Sequence, residues 1–159
     1  MLKYAPALDQ QLLRRAIELS RKSRGLGNHP FGAIVVDSSG AVLAEAMNDC
    51  RQGPLEHAEI NAIRAALRGG AGRRLDEAIL YSSAEPCAMC AGALYWSGIA
   101  RLVYGLSERR LLKLTGRHPA NLTLSLPCRD VLRRGQRPLE VVGPLLEDEA
   151  EEPHRGFWT

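Results

Sequence analysis

Ala78-Ile79-Leu80-Tyr81-Ser82, followed after a short gap by Pro86-Cys87-Ala88-Met89-Cys90, decides the fold. The first run is short, apolar and bounded by polar residues, which is the pattern of a buried strand. Pro86 stands where a helix begins, because its missing N–H costs nothing in a first turn. Residues 87–97 continue as that helix, and Gly98 closes it. The two cysteines are three residues apart, so they share one helix face and both reach a single ion. Upstream, His57-Ala58-Glu59 opens a second helix over 57–69, ended by Gly69-Gly70. Together the two helix starts offer His57, Cys87 and Cys90 as metal ligands, with Glu59 left over. Structural zinc takes four protein ligands, whereas catalytic zinc takes three and keeps a position open.

The pattern extends outward in both directions. Asp9 is placed to cap a first helix with Leu12, Leu13, Ala16, Ile17 and Leu19 at helical spacing. That helix ends near Gly25-Leu26-Gly27, and Pro30 reinforces the stop. Phe31 to Val36 and Ala41 to Met47 are strands joined through Asp37-Ser38-Ser39-Gly40, a hairpin. Arg101 to Leu106 is a further strand. Beyond it the signal weakens: Leu122 to Leu126 and Leu139 to Leu146 are expected as strands, with a helical turn over Val131 to Arg134. The sum is a single α/β domain over 1–159, a three-layer α/β/α sandwich with a central mixed five-stranded sheet.

The chain has 159 residues, 45% hydrophobic and 25% charged, ordinary for a globular domain. No apolar run approaches the ~20 residues of a membrane span. Residues 1–10 lack a basic segment followed by an apolar one, so the expected location is cytoplasmic. In that setting the Cys87–Cys90 pair reads as metal or redox chemistry. Cys50 and Cys128 read as ordinary buried or semi-buried thiols. The net charge of +3 is unevenly spread: of 21 Lys and Arg only Arg155 follows residue 137, together with six of the 18 acids. A basic body can attract nucleic acid. The arginine pairs here are scattered and have few aromatics between them, which favours a salt-bridged surface with the acidic end packed on it.

Two helix starts side by side direct their positive dipole ends at one spot, which favours thiolate over thiol. Glu59, two residues beyond His57, is displaced around its helix and sits beside the ion without binding it. Competing readings are a redox dithiol, and a structural zinc module with Cys50 or His29 as fourth ligand. Neither has a use for Glu59. Trp96 is expected in the core, and Phe31 either stacks on a ring or fills the core.

Pro30-Phe31-Gly32-Ala33, Asn48, His57-Ala58-Glu59, Ala62-Ile63-Arg64, Glu85-Pro86-Cys87 and Met89-Cys90-Ala91-Gly92-Ala93 resemble the zinc-dependent cytidine deaminase superfamily. The resemblance runs from about Pro30 through Gly105. It implies one zinc per chain, carrying water or hydroxide and held by His57, Cys87 and Cys90, with Glu59 as proton shuttle. It also implies a hydrolase of cyclic amidines that releases ammonia, with Asn48, Phe31, Ala58 and Trp158 contacting the substrate. Family analogy further implies a homodimer that uses the face around Ala91 to Tyr95.

The flanks Pro30-Phe31-Gly32-Ala33 and Ala93-Leu94-Tyr95-Trp96 look like the guanine deaminase branch, so a guanine-like free base or nucleoside is the expected substrate. A tRNA adenosine deaminase is the runner-up, since Cys90-Ala91-Gly92-Ala93 resembles that branch. A cytosine deaminase is the other alternative: such enzymes finish with an aromatic segment over the site, and Phe157-Trp158 within a C-terminal segment 147–159 would supply it.

Overall fold

The computed structural model of the protein describes residues 6–70 and 74–159. Twelve short elements follow in order. They are α1 (Pro6–Gly25), β1 (Gly32–Val36), β2 (Val42–Met47), α2 (Ala58–Arg68), β3 (Ile79–Ala84), α3 (Ala88–Trp96), β4 (Arg101–Leu106), α4 (Glu108–Thr115), α5 (Cys128–Leu132), β5 (Glu140–Val142), α6 (Glu147–Glu151) and a 3-10 turn over Glu152–His154. The strands form one mixed sheet in the order β2-β1-β3-β4-β5. β1 is antiparallel to both β2 and β3, while β3, β4 and β5 run parallel.

Alternation along the buried strands divides the core in two. Ile34, Val36, Ile79, Tyr81 and Val103 face α1, α4 and α6, meeting Leu12, Leu13, Ile17, Leu111 and Ala150. Ala33, Val35, Leu80, Leu102 and Tyr104 face α2, α3 and α5, meeting Ala62, Ile63, Ala66, Ala91, Leu94 and Leu132. This is the expected α/β/α sandwich. Each fully buried Leu or Ile contributes roughly 1.5–3 kcal/mol. Gly32 lets α1 lie directly on β1: a Cβ there would stand 2.6 Å from Leu19 Cβ and overlap the Ala16 carbonyl.

Several expectations are corrected. Asp9 does not cap α1. It lies inside the first turn, where Arg101 grips its two carboxylate oxygens at 2.7 and 2.8 Å and the Tyr81 hydroxyl donates at 2.7 Å. Arg101 also donates to Glu140 at 3.0 Å, so one buried network joins α1 to β3, β4 and β5. Pro86 precedes the helix rather than starting it, because Cys87 is extended and caps α3. Residues 122–126 form no strand, and Leu122 and Leu124 are exposed rather than packed on the sheet. The last strand shrinks to Glu140–Val142, since Pro144 has no N–H for a ladder. The helical turn comes earlier than expected, at Cys128–Leu132. α4 and α6 were not expected at all. Trp96 is not in the core but 85% exposed, and within the Ala91 to Tyr95 face Ala91 and Leu94 are buried in the chain's own core. The acidic end does pack on the basic body: Arg14 pairs with Glu149, Arg21 with Glu152, and Arg110 with Asp148 and Glu151.

Candidate active site

Sheet topology gathers the site at one edge. Gly32 lies opposite Met47, and Ala33 opposite Ser82, so the start of β1 and the ends of β2 and β3 coincide. β4 runs parallel to β3 and ends beside it. Phe31, Asn48, Glu85 and Glu108 are the residues that flank those strand ends, and all four line one cavity of about 520 Å3. Open α/β sheets bind ligands outside the carboxyl ends of their parallel strands, as here.

Two helix starts supply the candidate metal ligands. His57 and Cys87 are the extended N-cap residues of α2 and α3, and Cys90 lies one turn into α3. His57 Nδ1 stands 3.6 Å from Cys87 Sγ and 3.5 Å from Cys90 Sγ. A tetrahedral zinc with Zn–S about 2.3 Å and Zn–N about 2.0 Å separates S from N by roughly 3.5 Å. The residues therefore fit the ion without rearrangement. Among the described residues this trio is the group of His, Cys and acids placed to hold a metal. His29 and Cys50 line the cavity but do not join the trio, so neither completes a closed structural site.

Electrostatics sharpen the arrangement. A hydrogen bond from Cys90 pushes the Cys87 thiol down to about 4, with His57 adding to the effect. The same contact, with burial, drives Cys90 well up. The bond to Cys87 raises His57. One of the two sulfurs is thus favoured as thiolate, and the other would become one when a bound metal displaces its proton. Glu59 is buried, and burial, then the neighbouring Cys87 charge, raises its carboxyl. The Ser82 hydroxyl donates to Glu59 Oε1 at 2.8 Å, while Oε2 lies 3.6 Å from Cys90 Sγ. One oxygen is fixed and the other faces the metal group.

The remaining expected contacts divide. Phe31 and Asn48 line the cavity. Asn48 Oδ1 accepts the Cys50 N–H at 3.0 Å, which leaves the amide nitrogen as the end available to donate. Ala58 is buried at the first position of α2 and does not line the cavity. Trp158 does not line it either. It is buried behind the wall, its ring 5.2 Å from His29 and 6.3 Å from Phe31, both of which do line it. Segment 147–159 thus braces the wall from behind and contributes no residue to the cavity lining.

Sequence reasoning missed Glu85, Glu108, Leu111 and residues 120–124. Glu85 accepts the Glu108 N–H at 2.8 Å and the Cys128 N–H at 3.0 Å, fixing the starts of α4 and α5. Ser107, which caps α4 by accepting the Arg110 N–H, was a legible signal for the start of α4 but not for the burial of Glu108. The 120–124 wall carries no periodicity and no such signal.

Comparison with known proteins agrees with this geometry. Residues 6–106 match the family model described as the cytidine and deoxycytidylate deaminase zinc-binding region. The chain is 44% identical over 151 residues to a probable cytosine deaminase of Schizosaccharomyces pombe, covering 94% of this chain and 92% of that one. It is 39% identical over 108 residues to a tRNA-specific adenosine deaminase of Haemophilus influenzae, covering 67% of this chain and 62% of that one. The structure of a guanine deaminase from Nitrosomonas europaea superposes with a TM-score of 0.81 at 25% identity, covering 99% of this chain and 86% of that one. On the family match and the near full-length likeness, this chain belongs to the cytidine and deoxycytidylate deaminase family, zinc-binding hydrolases of carbon–nitrogen bonds.

Proposed function

We propose that the protein hydrolyses the exocyclic amine of a free nucleobase, cytosine before guanine. The observation that carries the deaminase reading is Glu59, buried with one oxygen fixed by Ser82 and the other facing a three-ligand metal group. When bound, zinc supplies the Lewis acidity that makes water a nucleophile near neutral pH. Glu59 Oε2 carries one proton of the attacking water to the ring nitrogen and the second, from the hydroxyl added at carbon, to the amine, whose C–N bond breaks as the C=O bond forms. Water and the amidine carbon thus become a ring carbonyl and ammonia. Phe31 presents an apolar ring face to the base, and Asn48 donates from its amide nitrogen. The cavity walls exclude solvent while the proton moves.

Cytosine is favoured because the likeness to the probable cytosine deaminase extends through the last third of the chain, which the family model leaves unmatched. Guanine is the second reading, favoured by the Pro30-Phe31-Gly32-Ala33 flank and the superposition on the Nitrosomonas enzyme. An RNA substrate fits less well. Arg14, Arg21 and Arg110, which make the body basic, are engaged by carboxylates of the C-terminal segment. The test is ammonia release by zinc-loaded protein from cytosine, cytidine, guanine, guanosine, adenine and tRNA. Turnover of cytosine well above cytidine is expected. Turnover of tRNA alone overturns the free-base reading.

A further inference from the structure

Glu85 and Glu108 stand side by side at the ends of adjacent parallel strands, yet their circumstances differ. Both oxygens of Glu85 are occupied by backbone N–H groups. Glu108 is 7% exposed, and neither of its carboxyl oxygens has a hydrogen-bond partner among the described residues. The Leu126 N–H, which approaches it, is already given to Leu124. A first-turn glutamate normally points to solvent and gains from the helix dipole. Burying it unpaired next to a second carboxylate forgoes that gain and adds a desolvation cost. Burial, then the Glu85 charge, raises the Glu108 carboxyl, with the Cys87 charge adding to it. The Leu126 N–H is the one group among the described residues that opposes this cost, and Glu108 lines the same cavity as Glu59, Phe31 and Asn48.

We propose that Glu108 is the substrate-reading carboxylate of this cavity, accepting the ring N–H that a free base carries and a glycosylated base lacks. The assignment rests on the free-base reading above. The chemistry at Glu59 engages the amine and the neighbouring ring nitrogen. What remains to be recognised on a free base is its other ring N–H, at the nitrogen that bears the sugar in a nucleoside. A buried acceptor without a protein partner is matched by that donor. A base alkylated there leaves the carboxyl unpaired, and sites built on such a bond reject analogues that lack it.

The experiment compares zinc-loaded wild type, E108Q and E108L on cytosine and 1-methylcytosine, or on guanine and 9-methylguanine if guanine is the base turned over. Kinetics, zinc content and melting temperature are read together. Wild type should prefer the unmethylated base by at least about 100-fold in kcat/KM. E108L should lose about that factor on the unmethylated base, mainly through KM, and stay within about threefold of wild type on the methylated one. E108Q keeps a carbonyl acceptor and should retain part of the preference. Zinc content should be unchanged and the melting temperature of E108L equal to or above that of wild type. Equal losses on both bases, or lower melting with loss of zinc, mark a structural residue and overturn the proposal. Wild-type kcat/KM retained by E108L overturns the Glu108 assignment alone. A wild type that turns over neither base removes the free-base reading and this assignment with it.

Discussion

Ser82 determines which oxygen of Glu59 is free to work. Its hydroxyl, on strand β3, donates to Oε1 at 2.8 Å and leaves Oε2 toward the cysteines. Ser82 is itself buried, so water has little access to replace it. On the proposed reading it is a positioning residue, which touches Glu59 and acts through it. Ser82→Ala should lower kcat about 10- to 100-fold with KM and zinc content little changed, in line with other groups that orient active residues from behind. Single-turnover ammonia release with parallel metal analysis separates these outcomes, and loss of zinc in Ser82→Ala would place the serine in the metal site instead. The ligands and Glu59 were legible because each is fixed by local rules, helix starts and a three-residue spacing. Glu108 was not, because burial without a partner has no sequence signature.

The C-terminal turn and Phe31 form an element-scale brace with its own pH response. His154 is fully buried in the 3-10 turn, its ring 5.1 Å from Phe31 and stacked at 6.1 Å on Trp158. Its Nδ1 accepts the Trp158 Nε1–H at 3.2 Å, so a proton added there would set two donors face to face. Burial, with Arg24 adding its charge and Glu151 opposing, holds the imidazole down to about 4. An unfolded histidine titrates near ~6.5. The folded value is the lower one, so the neutral form stabilises the fold. That contribution is complete above about pH 6.5 and is lost as pH falls toward 4, a span worth at most about 3 kcal/mol. Melting should therefore drop between pH 7 and pH 5 in wild type and much less in His154→Phe. Equal drops in both would show that the histidine does not carry the effect. The strands and helices through β4 were legible from periodicity and turn residues. α4 and α6 were not: the first carries two arginines in its first turn, directly after Glu108, and the second is almost wholly acidic, and both are held by tertiary contacts, notably Arg110 with Asp148 and Glu151.

At the scale of the whole molecule, the antiparallel start and parallel finish of the sheet bring residues from four strand ends to one edge. Two helix caps then deliver His57 and Cys87 to the same place. The buried Asp9–Arg101 pair locks α1 across the far side of the sheet, and the exposed pairs of the C-terminal segment add little individually. The last third of the chain supplies cavity-lining residues 120–124 and the aromatics that brace the wall, and it is the region whose sequence is least periodic. The central claim is that three residues hold the metal and a fourth moves the proton. It is tested most directly by measuring bound zinc and ammonia release together in wild type and Glu59→Gln, on the best substrate of the panel. The account predicts one zinc per chain in both proteins and a rate at least about 100-fold lower in the variant. A Glu59→Gln protein that keeps a tenth of the wild-type rate, or that loses its zinc, would contradict it.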